Sequence, residues 1–139
     1  MRILTMPGHV IRRLNQMSTQ VFARRMQEAG IDITPVQFAA LDAIKSFPGS
    51  DQAGIAAKIA YDRATIGGVI ERLLDKGYVQ RTPSAEDRRA KVITLTPRGD
   101  AAYQRILREV DSLQDEILSG LSPEEKQRFL ELANKALGT

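Results

Sequence analysis

The 139-residue chain has no cysteine and no tryptophan. Without thiols there can be no disulfide, no cysteine-ligated zinc and no thiol-based redox sensing. Aromatic residues make up only 5% of the chain, so a core must be built mostly from aliphatic side chains. There is one histidine, and no cluster of carboxylates at metal-ligand spacing. Nothing supplies a nucleophile with a base and an orienting group, so neither an enzyme nor a bound metal or cofactor is expected. No apolar run approaches membrane-spanning length, and the N-terminus lacks the apolar segment of a signal peptide. The expectation is a soluble, cytoplasmic protein.

Hydrophobic residues make up 42% of the chain, enough for a core in one domain over 1–139. The net charge of +3 permits a polyanionic partner, and its distribution says more than its total. From Lys58 to Arg108 eleven Lys/Arg face six Asp/Glu, whereas Glu109 to Glu131 holds seven acidic residues against two basic. A basic middle with an acidic end fits a DNA-facing surface backed by a distal one, though uneven surface charge alone gives the same pattern.

After a loose start, residues from Pro7 to about 29 read as a long helix with Val10, Leu14, Met17 and Val21 in one seam. Thr34-Pro35-Val36-Gln37 is a capping box that opens a second helix, which ends before Pro48-Gly49. Ser50 or Asp51 caps a short helix through Ile55 and Ile59. Asp62 caps the next, where Ile66, Val69, Ile70, Leu73 and Leu74 form an apolar stripe that stops at Gly77. The runs YVQRT and KVITLT alternate as strands do, around the charged tip PSAEDRRA. Thr96-Pro97 opens a helix running to about Ser119, and Ser122 to Glu125 is a second capping box before a last helix. Helix, turn, helix and a two-stranded wing is a plan for laying one helix in a DNA groove.

Asp62-Arg63, the run Leu73 to Val79, Arg81, Asp87 with Arg89, and Leu95-Thr96-Pro97-Arg98-Gly99 together resemble the MarR family of winged helix-turn-helix regulators. The likeness is dense over roughly forty residues. It implies a mainly α fold with a small β-wing: six helices, a two- to three-stranded antiparallel sheet, and a homodimer joined by its terminal helices. The winged helix-turn-helix would occupy about 35–99, and the dimerisation helices about 7–29 and 97–138. Apolar stripes on those outer helices need a partner, which a second copy or the same domain can supply. A two-fold dimer would present two recognition helices to a pseudo-palindromic operator.

On the recognition helix Arg63, Thr65 and Arg72 are candidates for DNA contact, although Arg72 can instead pair with Asp75 or Glu71. The family usually carries polar side chains where this chain has Gly67-Gly68. Each helix-interior glycine costs about 1 kcal/mol relative to alanine, so close approach to DNA or tight packing inside the protein must offset it. In the wing the resemblance gives Arg88 a minor-groove role and makes Asp87 and Arg89 an ion pair that fixes the tip.

His9, Arg12, Arg13 and Gln16 form a ligand-like cluster, which serves equally as surface or dimer contact. Arginine offers a fork to a carboxylate and histidine adds a hydrogen bond. The run PGHVIRRLNQ also resembles a subgroup that controls breakdown of aromatic and nicotinate-type acids, implying a small aromatic carboxylate as effector. The leading reading is a homodimeric, sequence-specific repressor released by such an acid. The alternative is a winged-helix module for protein contacts only.

Overall fold

Short-range signals build most of the architecture. The computed structural model describes residues 1–139. A single 3-10 turn (Arg2–Thr5) precedes α1 (Pro7–Ala29), so the first residues are not the loose start expected. Gly30 ends α1 in the left-handed region at φ 68°, which glycine adopts without steric cost. Helix α2 (Pro35–Ser46) starts at the expected capping box: Thr34 Oγ1 accepts from Gln37 N, and Gln37 Oε1 accepts from Thr34 N, both at 3.2 Å. Asp51, rather than Ser50, caps α3 (Gln52–Lys58), accepting from Gly54 N at 2.7 Å. Then come α4 (Arg63–Asp75), β1 (Val79–Pro83), β2 (Lys91–Leu95), α5 (Pro97–Gln114) and α6 (Pro123–Leu137).

The sheet has two antiparallel strands, with Val79 paired to Leu95 and Pro83 to Lys91. What a third strand would add is reduced to one bond, from Ile93 N to Ser50 O at 3.0 Å. Helix α5 ends at Gln114, short of the expected Ser119, and the chain continues through turns in which Leu118 takes φ 63°.

The core is one cluster dominated by aliphatics, with Leu41, Ile55, Ile66, Ile70, Leu73, Ile106 and Leu113 fully buried. The stripe read from α4 is that buried face, apart from half-buried Leu74. Tyr103 stacks on Phe38 with centroids 6.0 Å apart and donates to Asp42 Oδ1 at 2.5 Å, joining α5 to α2. Burial, then that bond, pushes the phenol up to about 12, so it remains a donor at ordinary pH. Arg25 reaches from α1 to Ser112 Oγ at 2.7 Å and to Glu116 at 3.2 Å near the end of α5.

The outer elements are different. Helix α6 buries no residue, and in the first half of α1 the expected seam is open, with Val10 exposed and Leu14 half-buried. Of the large exposed apolar side chains, all but Phe47 and Tyr61 lie on the first turn, the start of α1 or α6.

Candidate nucleic-acid interface

Helix α4 turns one side inward, and apart from half-buried Gly67 and Leu74 the rest of it faces solvent. Asp62 fixes its start: Oδ1 accepts from Thr65 N at 2.7 Å, and Oδ2 from Thr65 Oγ1 at 2.8 Å. Satisfying two donors at a helix N-terminus favours the ionised carboxyl. The bond from the Thr65 backbone, then that from its hydroxyl, hold Asp62 below its ordinary value of 3.8. A depressed folded pKa stabilises the fold above the unfolded value and loses that stabilisation as pH falls through the folded one. In thermal melts, Asp62→Ala is therefore expected to melt below the parent protein near neutral pH, with the gap closing as pH drops well under 3.8. A gap unchanged down to about pH 2 would contradict an ionised cap.

The same cap changes the part open to Thr65. Its hydroxyl hydrogen is committed to Asp62, so toward a groove it offers a methyl group and an oxygen lone pair. Arg63 and Arg72 are exposed, and neither pairs with a carboxylate. The expected alternatives for Arg72 are thus not formed: Glu71 is taken by Arg81 at 2.8 Å, and Asp75 makes no ion pair. Sequence neighbours on a helix point apart, so Glu71 was poorly placed for Arg72 from the start.

The glycine pair divides. A Cβ on Gly68 would meet nothing within 4 Å, so no internal packing calls for glycine there. A Cβ on Gly67 would stand 3.4 Å from Gln52 Nε2, an ordinary contact. Gln52, at the start of α3, thus lies beside the recognition helix where the family pattern carries a side chain. Residue spacing holds no sign of it, because the contact joins two helices.

The wing tip is a local turn. Ser84 N donates to Ala90 O at 2.9 Å, and Ala90 N to Asp87 O at 3.1 Å. Asp87 Oδ1 accepts from the Arg89 backbone N–H at 3.0 Å. The expected Asp87–Arg89 side-chain ion pair is absent, because the carboxylate turns onto the nearer backbone donor, a local bond aspartate favours. Asp87 shapes the tip even so, and Arg88 and Arg89 are left exposed without acidic partners. The surface offers free cations on α4 and on the wing, on either side of a helix narrow enough for a major groove.

In the ligand-like cluster, His9 and Arg13 line a hollow of about 270 Å³ with Leu4, Val10, Leu14 and Met17. Arg12 and Gln16 are exposed outside that lining, so the four residues do not converge.

Comparison with known proteins agrees with this geometry. The MarR family model matches residues 31–90. The transcriptional regulator HosA of Escherichia coli O127:H6 is 30% identical over 131 residues, covering 94% of both chains. The transcriptional repressor NicR of Pseudomonas putida is 30% identical over 130 residues, covering 94% of this chain and 81% of its own. Bordetella bronchiseptica BpsR, whose DNA binding is regulated by 6-hydroxynicotinic acid, superimposes with a TM-score of 0.89 at 27% identity, covering 97% of this chain and 95% of its own. A match of that extent, carried by a winged helix with free cations on its helix and wing, makes this chain a member of the MarR family and a DNA-binding transcriptional regulator.

Proposed function

We propose that the protein is a homodimeric repressor that reads a pseudo-palindromic operator and is released by a small aromatic carboxylate. The observation that carries the DNA part is the set of unpaired arginines, Arg63, Arg72, Arg88 and Arg89, on the recognition helix and its wing. Arg88 enters the minor groove, Thr65 contributes a methyl group and an acceptor to the major groove, and Gly68 lets the helix backbone approach the DNA.

The dimer is supported by the open apolar faces of α1 and α6. Between them lies a groove of about 590 Å³ lined by Ile11, Leu14, Ile117, Phe129 and Leu132. With Ile11 63% and Leu137 76% exposed in a single chain, a second copy is the economical cover. Two-fold pairing sets the recognition helices about one helical turn of DNA apart.

The effector reading rests on His9 and Arg13 in their shared hollow. The arginine supplies a fork for a carboxylate, and Leu4, Val10 and Met17 supply an apolar wall for a ring. The regulation of BpsR by 6-hydroxynicotinic acid supports this chemical class. Binding releases DNA by favouring a spacing of the recognition helices that no longer fits two half-sites. Titration calorimetry with a panel of benzoic and nicotinic acids is expected to find one that binds, with affinity lowered at least about tenfold by Arg13→Ala, the loss of a charge-assisted pair. An acid that binds Arg13→Ala and His9→Ala as tightly as the parent protein would place the effector elsewhere.

A further inference from the structure

The outward side of α4 carries two acidic side chains, Glu71 and, one turn further on, Asp75, and of these only Glu71 is paired with an arginine. On α4 the buried residues Ile66, Val69, Ile70 and Leu73 define the inward side. At helical spacing Ala64, Gly68, Glu71 and Asp75 fall opposite them, so Glu71 shares its outward side with the open face of Gly68. Its side chain is 61% exposed. A free carboxylate on a groove-facing side repels phosphates at ordinary salt, where screening acts only over about 10 Å.

The carboxylate is not free. Glu71 Oε1 accepts from an Arg81 guanidinium nitrogen at 2.8 Å, and that side chain is 38% exposed. Arg81 belongs to β1, the strand leading out to the wing, so the pair bridges the recognition helix and the base of the wing. Arg81 is also the one arginine on α4 or the wing that has a carboxylate partner.

We propose that Glu71 is a charge brake on DNA binding: it holds Arg81 away from the phosphates and withholds one cation per protomer from the interface. This rests on the DNA surface described above. A paired arginine releases no counterions from DNA, so it leaves no mark on the salt dependence. Once freed, Arg81 has only to swing from the carboxylate to a phosphate on the strand beside the wing. The gain is independent of base sequence and adds to binding on any duplex.

The test is a salt titration of the parent protein, Glu71→Gln, Arg81→Gln and the double variant. Two duplexes are used: the best one recovered from a random library, and a scrambled duplex of the same composition. Glu71→Gln is expected to bind both duplexes more tightly, with a log–log salt slope steeper by about 1.8 for the dimer, or 0.9 for each new phosphate contact. Arg81→Gln leaves a bare carboxylate and is expected to bind both duplexes more weakly. The double variant, with neither charge, is expected to recover the parent slope.

Glu71→Gln with an unchanged slope would overturn the proposal. A double variant with a flatter slope than the parent would also overturn it, because Arg81 would then already be touching a phosphate. Thermal melts of the same variants separate these results from loosening of the fold, since a purely structural clasp would move the melting temperature and leave the slope alone. A parent protein whose binding ignores salt would count against the DNA surface itself, a different failure from that of the brake.

Discussion

Gly99→Ala is expected to be the most damaging single methyl group that can be added to this chain. Gly99 is buried in the first turn of α5, and a Cβ there would fall 1.8 Å from Tyr78 O and 2.6 Å from Tyr78 C. Both neighbours are backbone, which cannot rotate aside as a side chain can. They are also held in place, because Tyr78 O accepts from Thr96 N at 3.0 Å and Thr96 Oγ1 donates to Gly77 O at 2.6 Å. Thr96 Oγ1 in turn accepts from Gly99 N at 3.0 Å. The end of α4, the end of β2 and the start of α5 therefore meet at one joint, which must open to admit the methyl group. Overpacking of this kind costs about 3 kcal/mol, equivalent to a melting temperature lower by about 10 °C for a domain of this size. A variant melting within about 2 °C of the parent would contradict so close an approach. The joint also sets where α4 points, so loss of DNA affinity is expected to accompany loss of stability.

The second large effect is expected at the wing tip and leaves the fold untouched. Arg88 is exposed in a turn held by backbone bonds and by Asp87, so Arg88→Ala removes no contact that shapes the protein. The melting temperature should stay at the parent value. DNA affinity is expected to fall about ten- to a hundredfold, the usual range for an arginine placed in a groove. Because a narrow minor groove attracts a guanidinium through its negative potential, the preference for A·T pairs beneath the wing should weaken as well. Footprinting and equilibrium binding on matched duplexes check both points. Undiminished affinity would mean the wing does not touch DNA.

The parts of this structure that were readable from sequence are those governed by neighbours a few residues apart. Asp62, and the capping boxes at Thr34 and Ser122, form as the residue types predict, because a cap and its donor lie within one turn. The inward side of α4 followed from the spacing of its aliphatic residues. The tertiary pairings were less legible. Glu71 and Arg81 are ten positions apart across a helix end and a strand, and nothing in their spacing selects that partnership. The family resemblance pairs Asp87 with the Arg89 side chain, whereas the carboxylate takes the Arg89 backbone N–H. Helix α5 ends at Gln114 and passes into turns that include the left-handed Leu118, with no glycine before Gly120 to signal the stop. The Leu-Thr-x-x-Gly pattern marked Gly99, but only the fold gives the reason, a carbonyl where a side chain would begin. In the ligand-like cluster, sequence spacing joins four residues of α1, whereas the hollow gathers two of them and adds Leu4 from the preceding turn.

In the proposed function, two copies of this chain read one duplex through paired recognition helices and wings. Selection of bound duplexes from a random library tests it most directly. The expected product is a pseudo-palindrome whose half-sites lie about 10 base pairs apart, flanked by A·T-rich positions beneath the wings. Recovery of no common sequence, or of a single unrepeated half-site, would contradict the account.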